Sequence, residues 1–307
     1  MDRISVVIPA YNEEKSIGVL HKQLHKALSA YKGYELIFVD DGSTDNTFKE
    51  MKKVQKRDSH VKLIRFQRNY GKAAALAAGF EAAQNRFVFT MDGDLQDDPA
   101  EIPRFLEKMD EGYDLVVGWK TKRKDPMTKT LPSRVFNLLT SRFVGLRLHD
   151  YNCGFKCYRK EVVKQMQVYG ELHRYLPALA HWMGYKVGEM PVTHHRRVYG
   201  KSKYGFSRLF KGMFDLISIK YMSVYNKRPL HFFGVLGGGS FFIGFAAAFY
   251  LLILKLRGEL IGDRPLLMLS VLLIVLGVQF VSLGLLGEMI TRESKKKEYI
   301  IKEKIGF

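Results

Sequence analysis

Residues 86–99, RFVFTMDGDLQDDP, decide how the chain is read. An aromatic and β-branched run, Arg86–Asp92, breaks into a burst of acid at Asp92, Asp94, Asp97 and Asp98. The apolar part reads as a buried strand and the acid as whatever stands at that strand's carboxyl end. Working outward, the same kind of segment recurs at Ile4–Ala10, Glu35–Asp40, Val61–Phe66 and Asp114–Gly118. Helical spacing fills Glu13–Tyr31, Thr44–Lys56, Gly71–Ala83 and Pro99–Gly112. Strands alternating with helices predict an α/β fold: a mostly parallel sheet with helices on both faces. On such sheets ligands bind at the carboxyl ends of the strands.

The acids gather at those ends. Asp40 and Asp41 close the second segment in VDDGSTD, and Asp92 and Asp94 close the fourth. Tyr11, Asn12 and Glu13 follow the first, in PAYNEE. One Asp-x-Asp alone reads as a solvated turn or helix cap. Acids at three strand ends of one sheet repel one another unless they hold a cation or receive hydrogen bonds from a ligand. Hard oxygen donors suit Mg²⁺ or Mn²⁺, often shared with substrate phosphates.

The chain of 307 residues carries 49 Lys+Arg against 31 Asp+Glu, a formal net charge of +18. Such a balance calls for an anionic partner: nucleotide phosphate, nucleic acid or an anionic membrane. Only two cysteines are present, Cys153 and Cys157, with no histidine near them at zinc spacing, so no disulfide scaffold is expected and the pair reads as structural. The mean hydropathy of −0.13 hides two charge-free runs, Phe232–Leu254 and Pro265–Gly287, each long enough to cross a bilayer as a helix of roughly 20 residues. Small residues in the first run let another helix approach closely and permit a homo-oligomer through the spans. Basic residues flank the pair on both outer sides, from Lys201 to Arg228 and from Arg292 to Lys304. Positive-inside bias therefore predicts a multi-pass protein of the cytoplasmic (inner) membrane, with the loop Lys255–Arg264 outside. Before the first run, apolar residues from Phe206 to Val224 follow helical spacing with basic residues interleaved, as in an interfacial helix. The predicted division is a catalytic domain at 1–203, interfacial helices at 204–229, two transmembrane helices at 230–290 and a basic cytoplasmic tail at 291–307.

The strings VVIPAYNEE, VDDGSTD, RNYGKAAAL, MDGDLQDDP, GFKCYRKEV and GKSKYG, in this order and followed by two spans, resemble family 2 glycosyltransferases of the GT-A fold. The resemblance is to the polyprenyl-phosphate branch, which includes dolichyl-phosphate mannose synthases and bacterial undecaprenyl-phosphate glycosyltransferases. It implies inverting transfer of a sugar from a nucleotide-sugar to a lipid phosphate at the cytoplasmic membrane face. It also implies roles for individual residues. Pro9, Tyr11, Glu13, Asp40, Asp41, Lys72 and Asp92 would bind the nucleotide-sugar. Asp92, Asp94 and Gln96 would hold Mg²⁺ or Mn²⁺. Asp94, Asp150, Lys120 and Arg134 would be catalytic, the last two facing the acceptor phosphate. Arg123, Arg197, Ser202 and Lys203 would contact acceptor or diphosphate. Lys120 is a departure, since the family often has Arg there and lysine loses bidentate phosphate geometry.

UDP-glucose is the first donor expected; GDP-mannose, as in dolichyl-phosphate mannose synthases, or a modified UDP-sugar is the alternative. A non-catalytic membrane scaffold or nucleotide-sugar sensor is a reading of another class, opposed by the intact set of acids. The Gln-x-x-Arg-Trp of processive polysaccharide synthases is missing, as Trp119 and Trp182 end no such motif. The GKS at Gly200–Ser202 is no P-loop, because the required upstream glycine is His195. His194 and His195 read as loop residues after a strand-like segment. No nucleic-acid-binding module is recognised.

Overall fold

In a computed structural model the described residues are 3–31, 33–120, 140–142, 144–166, 168, 170, 172–195, 229–293 and 299–307. The candidate residues Arg123, Arg134, Arg197, Ser202 and Lys203, and the expected interfacial stretch at 204–229 up to Arg228, lie outside them. Two compact units emerge, Met1–Leu216 with Lys297–Phe307, and Ile217–Lys296.

The first unit is built on an eight-stranded sheet: β1 (Arg3–Ala10), β2 (Gly33–Asp40), β3 (Val61–Phe66), β4 (Phe87–Thr90), β5 (Leu115–Lys120), β6 (Lys156–Arg159), β7 (Val187–Val192) and β8 (Ile301–Ile305). Their spatial order is β7-β5-β6-β4-β1-β2-β3-β8. Only β6 and β8 run against the rest. Every residue from Ile4 to Ala10 and from Tyr34 to Asp40 is buried, so both faces of the central strands are covered. The covering helices are α1 (Ile17–Leu28), α2 (Thr47–Gln55), α3 (Lys72–Ala82), α4 (Ile102–Asp110), α5 (Lys160–Gln165) and α6 (Leu176–Trp182). α1 buries Ile17, Leu20, Leu24 and Leu28, one stripe at the spacing the sequence shows. Phe89, Phe105 and Phe155 meet at centroid distances of 4.5 to 6.1 Å beneath β4 and β6.

β3 falls where the sequence places it, but α1 and α2 start later than expected. The two loops before them bind each other instead of continuing as helix. Asn12 (φ 56°) donates its N–H to Ser43 Oγ at 3.0 Å and accepts from Thr44 N at 2.9 Å. Glu13 N donates to Thr47 Oγ1 at 2.7 Å.

The segment expected as a basic tail is described from residue 299 onward. Its end is β8, the antiparallel edge strand beside β3. Tyr299 stacks on Phe66 at 5.0 Å, and Lys52 reaches Glu303 at 2.7 Å. The first unit therefore takes strands from both of its chain segments.

The second unit holds α7 (Pro229–Leu256) and α8 (Pro265–Glu293). Both are long and apolar enough to cross a membrane. Their apolar side chains face outward, Val235 being 77% and Met268 82% exposed, which a soluble core helix would not tolerate. Gly237 and Gly277 face each other so closely that a Cβ on either would lie 2.6 or 2.7 Å from the other's carbonyl oxygen. Part of the small-residue pattern of the first run thus serves packing within the chain.

Candidate active site

The chain runs β1, β2, β3 to one side and then returns to β4 on the other side of β1. That reversal makes the carboxyl ends of β1 and β4 the topological switch point, where sheets of this kind bind their ligands. Because β6 is antiparallel, its beginning joins the same rim. Pro9, Tyr11, Glu13, Asp40, Asp41, Asp92, Asp94, Gln96 and Lys120 follow strands or lie at their ends here, Asp150 leads into β6, and Lys72 opens α3 beside them.

Two layers of contact shape the rim. On the β2 side, Asp41 accepts from the backbone N–H groups of Tyr70 (2.7 Å) and Gly71 (3.0 Å), holding the RNYGK loop. Burial, and the neighbouring Asp40 charge, still push the Asp41 carboxyl up to about 6 against those hydrogen bonds. Asp40 is fully buried; Oδ1 accepts from Ser43 N at 2.9 Å and Arg65 Nε stands 3.2 Å from Oδ2.

On the β4 side, Lys72 pairs with Asp92. Burial disfavours the Asp92 charge, but Lys72, Lys120 and Lys156 outweigh it and hold the carboxyl down at about 2. Leu95 has a left-handed φ of 63°, a strained turn that brings Gln96 N within 3.2 Å of Asp94 Oδ1. Asp94 is buried, as is Asp150, whose Oδ1 accepts from Asn152 N at 3.0 Å.

Gly154 is required by its neighbour: a Cβ there would sit 2.6 Å from Asp92 Oδ2. Its carbonyl accepts from Thr90 Oγ1 at 2.7 Å, tying β4 to the turn before β6. Lys120 is held charged, with burial opposing and Cys153, Asp97, Asp150 and Asp92 favouring the ammonium. Lys156, donating to the Cys153 carbonyl, is pushed down to about 8 by burial and by Lys72.

The structure brings every described candidate to this rim and adds two residues that sequence reasoning passed over. Lys156 is 3% exposed among the acids, a position that only the antiparallel β6 reveals. His194, read as a loop residue, bridges to Asp97; its Nδ1 is buried, lacks a hydrogen-bond partner and lies 3.8 Å from Asp97 Oδ1. The adjacent His195 N donates to Gln96 O at 2.8 Å, so this strand end braces the DGDLQ turn.

Residues 5–167 match the sequence profile described as glycosyl transferase family 2. The chain belongs to glycosyl transferase family 2. This glycosyltransferase is 41% identical, over 98% of its length and 92% of the relative's, to dodecaprenyl-phosphate galacturonate synthase of Rhizobium johnstonii. It is 37% identical to undecaprenyl-phosphate 4-deoxy-4-formamido-L-arabinose transferase of Pseudomonas aeruginosa, over 95% of this chain and 86% of that one. Among solved structures it shares its fold with glucosyl-3-phosphoglycerate synthase of Mycobacterium tuberculosis in complex with Mn²⁺, UDP and glucosyl-3-phosphoglycerate (TM-score 0.56, 18% identity, 72% of this chain and 80% of that one). The likeness confirms the GT-A architecture of the glycosyltransferase.

Proposed function

We propose that this glycosyltransferase moves a sugar from a nucleoside diphosphate onto a polyprenyl phosphate, with inversion, at the cytoplasmic face of the inner membrane. The observation that carries the reading is the rim itself: acids of β1, β2 and β4 joined by Lys72, Lys120 and Lys156 at the sheet's reversal point. A diphosphate donor and a phosphate acceptor both need such mixed charge.

Asp92, Asp94 and Gln96 offer an all-oxygen donor set with Asp92 kept ionised, which fits Mg²⁺ or Mn²⁺. When bound there, the ion stabilises the charge that develops on the leaving diphosphate. An acceptor phosphate oxygen bonds to the anomeric carbon as the bond from that carbon to the diphosphate oxygen breaks, and the nucleoside diphosphate leaves with the electron pair. A phosphate monoester has its second pKa near 6, so no strong base is needed. Lys120 draws the acceptor phosphate in, and Asp150 orients that ammonium and the acceptor. Asp40, Asp41 and Tyr11 receive the nucleoside. Arg134, Arg123, Arg197, Ser202 and Lys203 retain their proposed roles toward acceptor and diphosphate.

The glucose expected from the sequence gives way. The named relatives carry galacturonate and formamido-arabinose, so a uridine-linked uronic acid or modified pentose is the donor proposed. Membrane placement rests on α7 and α8 as spans, on the relatives' lipid acceptors and on β8. Because β8 lies in the same sheet as β3, the chain must cross the bilayer an even number of times between them. This supports a cytoplasmic catalytic unit with only the Lys255–Arg264 loop outside.

The test is a panel of UDP-galacturonate, UDP-4-deoxy-4-formamido-L-arabinose, UDP-glucose and GDP-mannose, assayed with undecaprenyl phosphate in detergent. Lipid-linked sugar from a uridine donor, lost on chelation, is expected. No lipid product from any donor, with UDP binding retained, would favour a nucleotide-sugar sensor instead.

A further inference from the structure

Away from the rim, three histidines surround one carboxylate. His21 and His25 lie one turn apart on α1, and Asp58 and His60 stand in the turn between α2 and β3. Leu36 N donates to the His60 carbonyl at the beginning of β2, so the cluster sits at the amino end of the parallel strands, opposite the acidic rim. One ring nitrogen each of His21 and His25 and an Asp58 carboxylate oxygen all lie within 4.8 Å of one another. His21 Nε2 is 2.8 Å and His25 Nδ1 3.5 Å from the same atom, Asp58 Oδ2.

The other oxygen is occupied. Asp58 Oδ1 accepts from the His60 backbone N–H at 2.9 Å and lies 2.8 Å from His60 Nδ1. His60 is itself fixed by stacking on Tyr34 at 4.2 Å. Tyr34 Oη lies 2.9 Å from His25 Nδ1, a hydrogen bond that an ion bound at that nitrogen would displace. The carboxylate is thus clamped through Oδ1, with Oδ2 presented to two imidazoles.

We propose that His21, His25 and Asp58 bind one Zn²⁺-class divalent cation. Zinc takes imidazole nitrogen and carboxylate oxygen at about 2.0–2.2 Å, so tetrahedral ligand atoms stand roughly 3.3 Å apart. The spacings of 2.8 and 3.5 Å bracket that value, and small side-chain rotations admit the ion. Two imidazoles select a borderline metal over Mg²⁺, which prefers oxygen alone. His60 supplies the outer hydrogen bond that orients a ligating carboxylate. His25 is 55% and His60 45% exposed, leaving an entry path and a fourth position for water. The ligands come from α1 and from the turn before β3, so the ion would pin these two segments together. The site is remote from the chemistry and independent of the proposed transfer reaction.

The test uses the full chain in detergent, stripped by chelation, with Zn²⁺ alone titrated by calorimetry and Co²⁺ followed by visible absorption. Wild type should bind one more equivalent of Zn²⁺ than His25→Ala, with a dissociation constant below about 1 µM. It should also show tetrahedral Co²⁺ bands that the variant lacks. His21→Ala should behave alike, and Mg²⁺-supported sugar transfer by His25→Ala should stay within about twofold of wild type. Equal Zn²⁺ stoichiometry in wild type and His25→Ala would overturn the proposal and leave a hydrogen-bonded histidine cluster. That result would leave the glycosyltransferase reading untouched.

Discussion

Strand β2 carries a buried carboxylate near its start and another just past its end, and the two are treated in opposite ways. Glu35 accepts from Ser5 Oγ at 2.5 Å, from Gln84 N at 2.8 Å and from Lys62 Nζ at 2.7 Å. Burial works against its charge, yet Lys62 and the hydrogen bonds lower its pKa. Asp41 has two backbone donors, no paired cation among the described residues and a second acid beside it, and its pKa is raised. One end of the strand is electrostatically closed and serves the fold. The other is left unsettled, which suits a place where a ligand supplies the missing partners.

The first way to break this contrast is at the rim itself. Asp94→Asn should cost more than about a hundredfold in sugar transfer, because the proposed metal set loses a charged oxygen. Its thermal midpoint should remain near wild type. Near-normal turnover by the variant would remove Asp94 from the metal set.

The next acts at the closed end. Glu35→Ala leaves Ser5, Lys62 and the Gln84 N–H without their shared acceptor, and should cost roughly 2–4 kcal/mol of stability. Folded enzyme that remains should keep its KM for the nucleotide-sugar. A rise in KM at unchanged stability would make Glu35 a functional acid and erase the distinction.

The smallest effect is in pH dependence. With Asp41 titrating near 6 in the fold and near 3.9 unfolded, the native state binds the extra proton between these values. Stability from Asp41 is therefore greatest at the acid end and falls as pH rises through about 4 to 6. Glu35 runs the other way, losing its contribution as pH falls through its lowered pKa. The stability of wild type relative to Asp41→Asn, from melts at pH 4.5 to 7, should drop by on the order of 1 kcal/mol. That is under the full linkage value, because the scan begins above the unfolded pKa of about 3.9 and so covers only part of the window. A difference that stays constant across this range would show that Asp41 is not raised.

Much of this was legible in the sequence, and what was not has physical reasons. Continuous apolar runs located β1 to β5, since strands covered on both faces have no alternation to confuse. The acids at strand ends located the rim, because the parallel strands all deliver their ends to one edge. β6 escaped: it is four residues long and begins with a buried lysine, Lys156, which only neighbouring acids make tolerable. β8, Ile301–Ile305, alternates apolar and charged residues, a strand signal masked by the basic composition around it. The spacing of His21 and His25 was visible, but Asp58 joins them only through the fold.

The placement of β8 has a consequence for the order of assembly. A ribosome delivers β1 through β7 first, then the two apolar helices, and only afterwards the strand that borders β3. Until then β3 presents an unpaired edge of the kind that invites intermolecular pairing. The catalytic sheet cannot be completed before the hairpin has emerged. A nascent chain stalled within the spans would therefore carry that edge exposed, open to pairing with another chain.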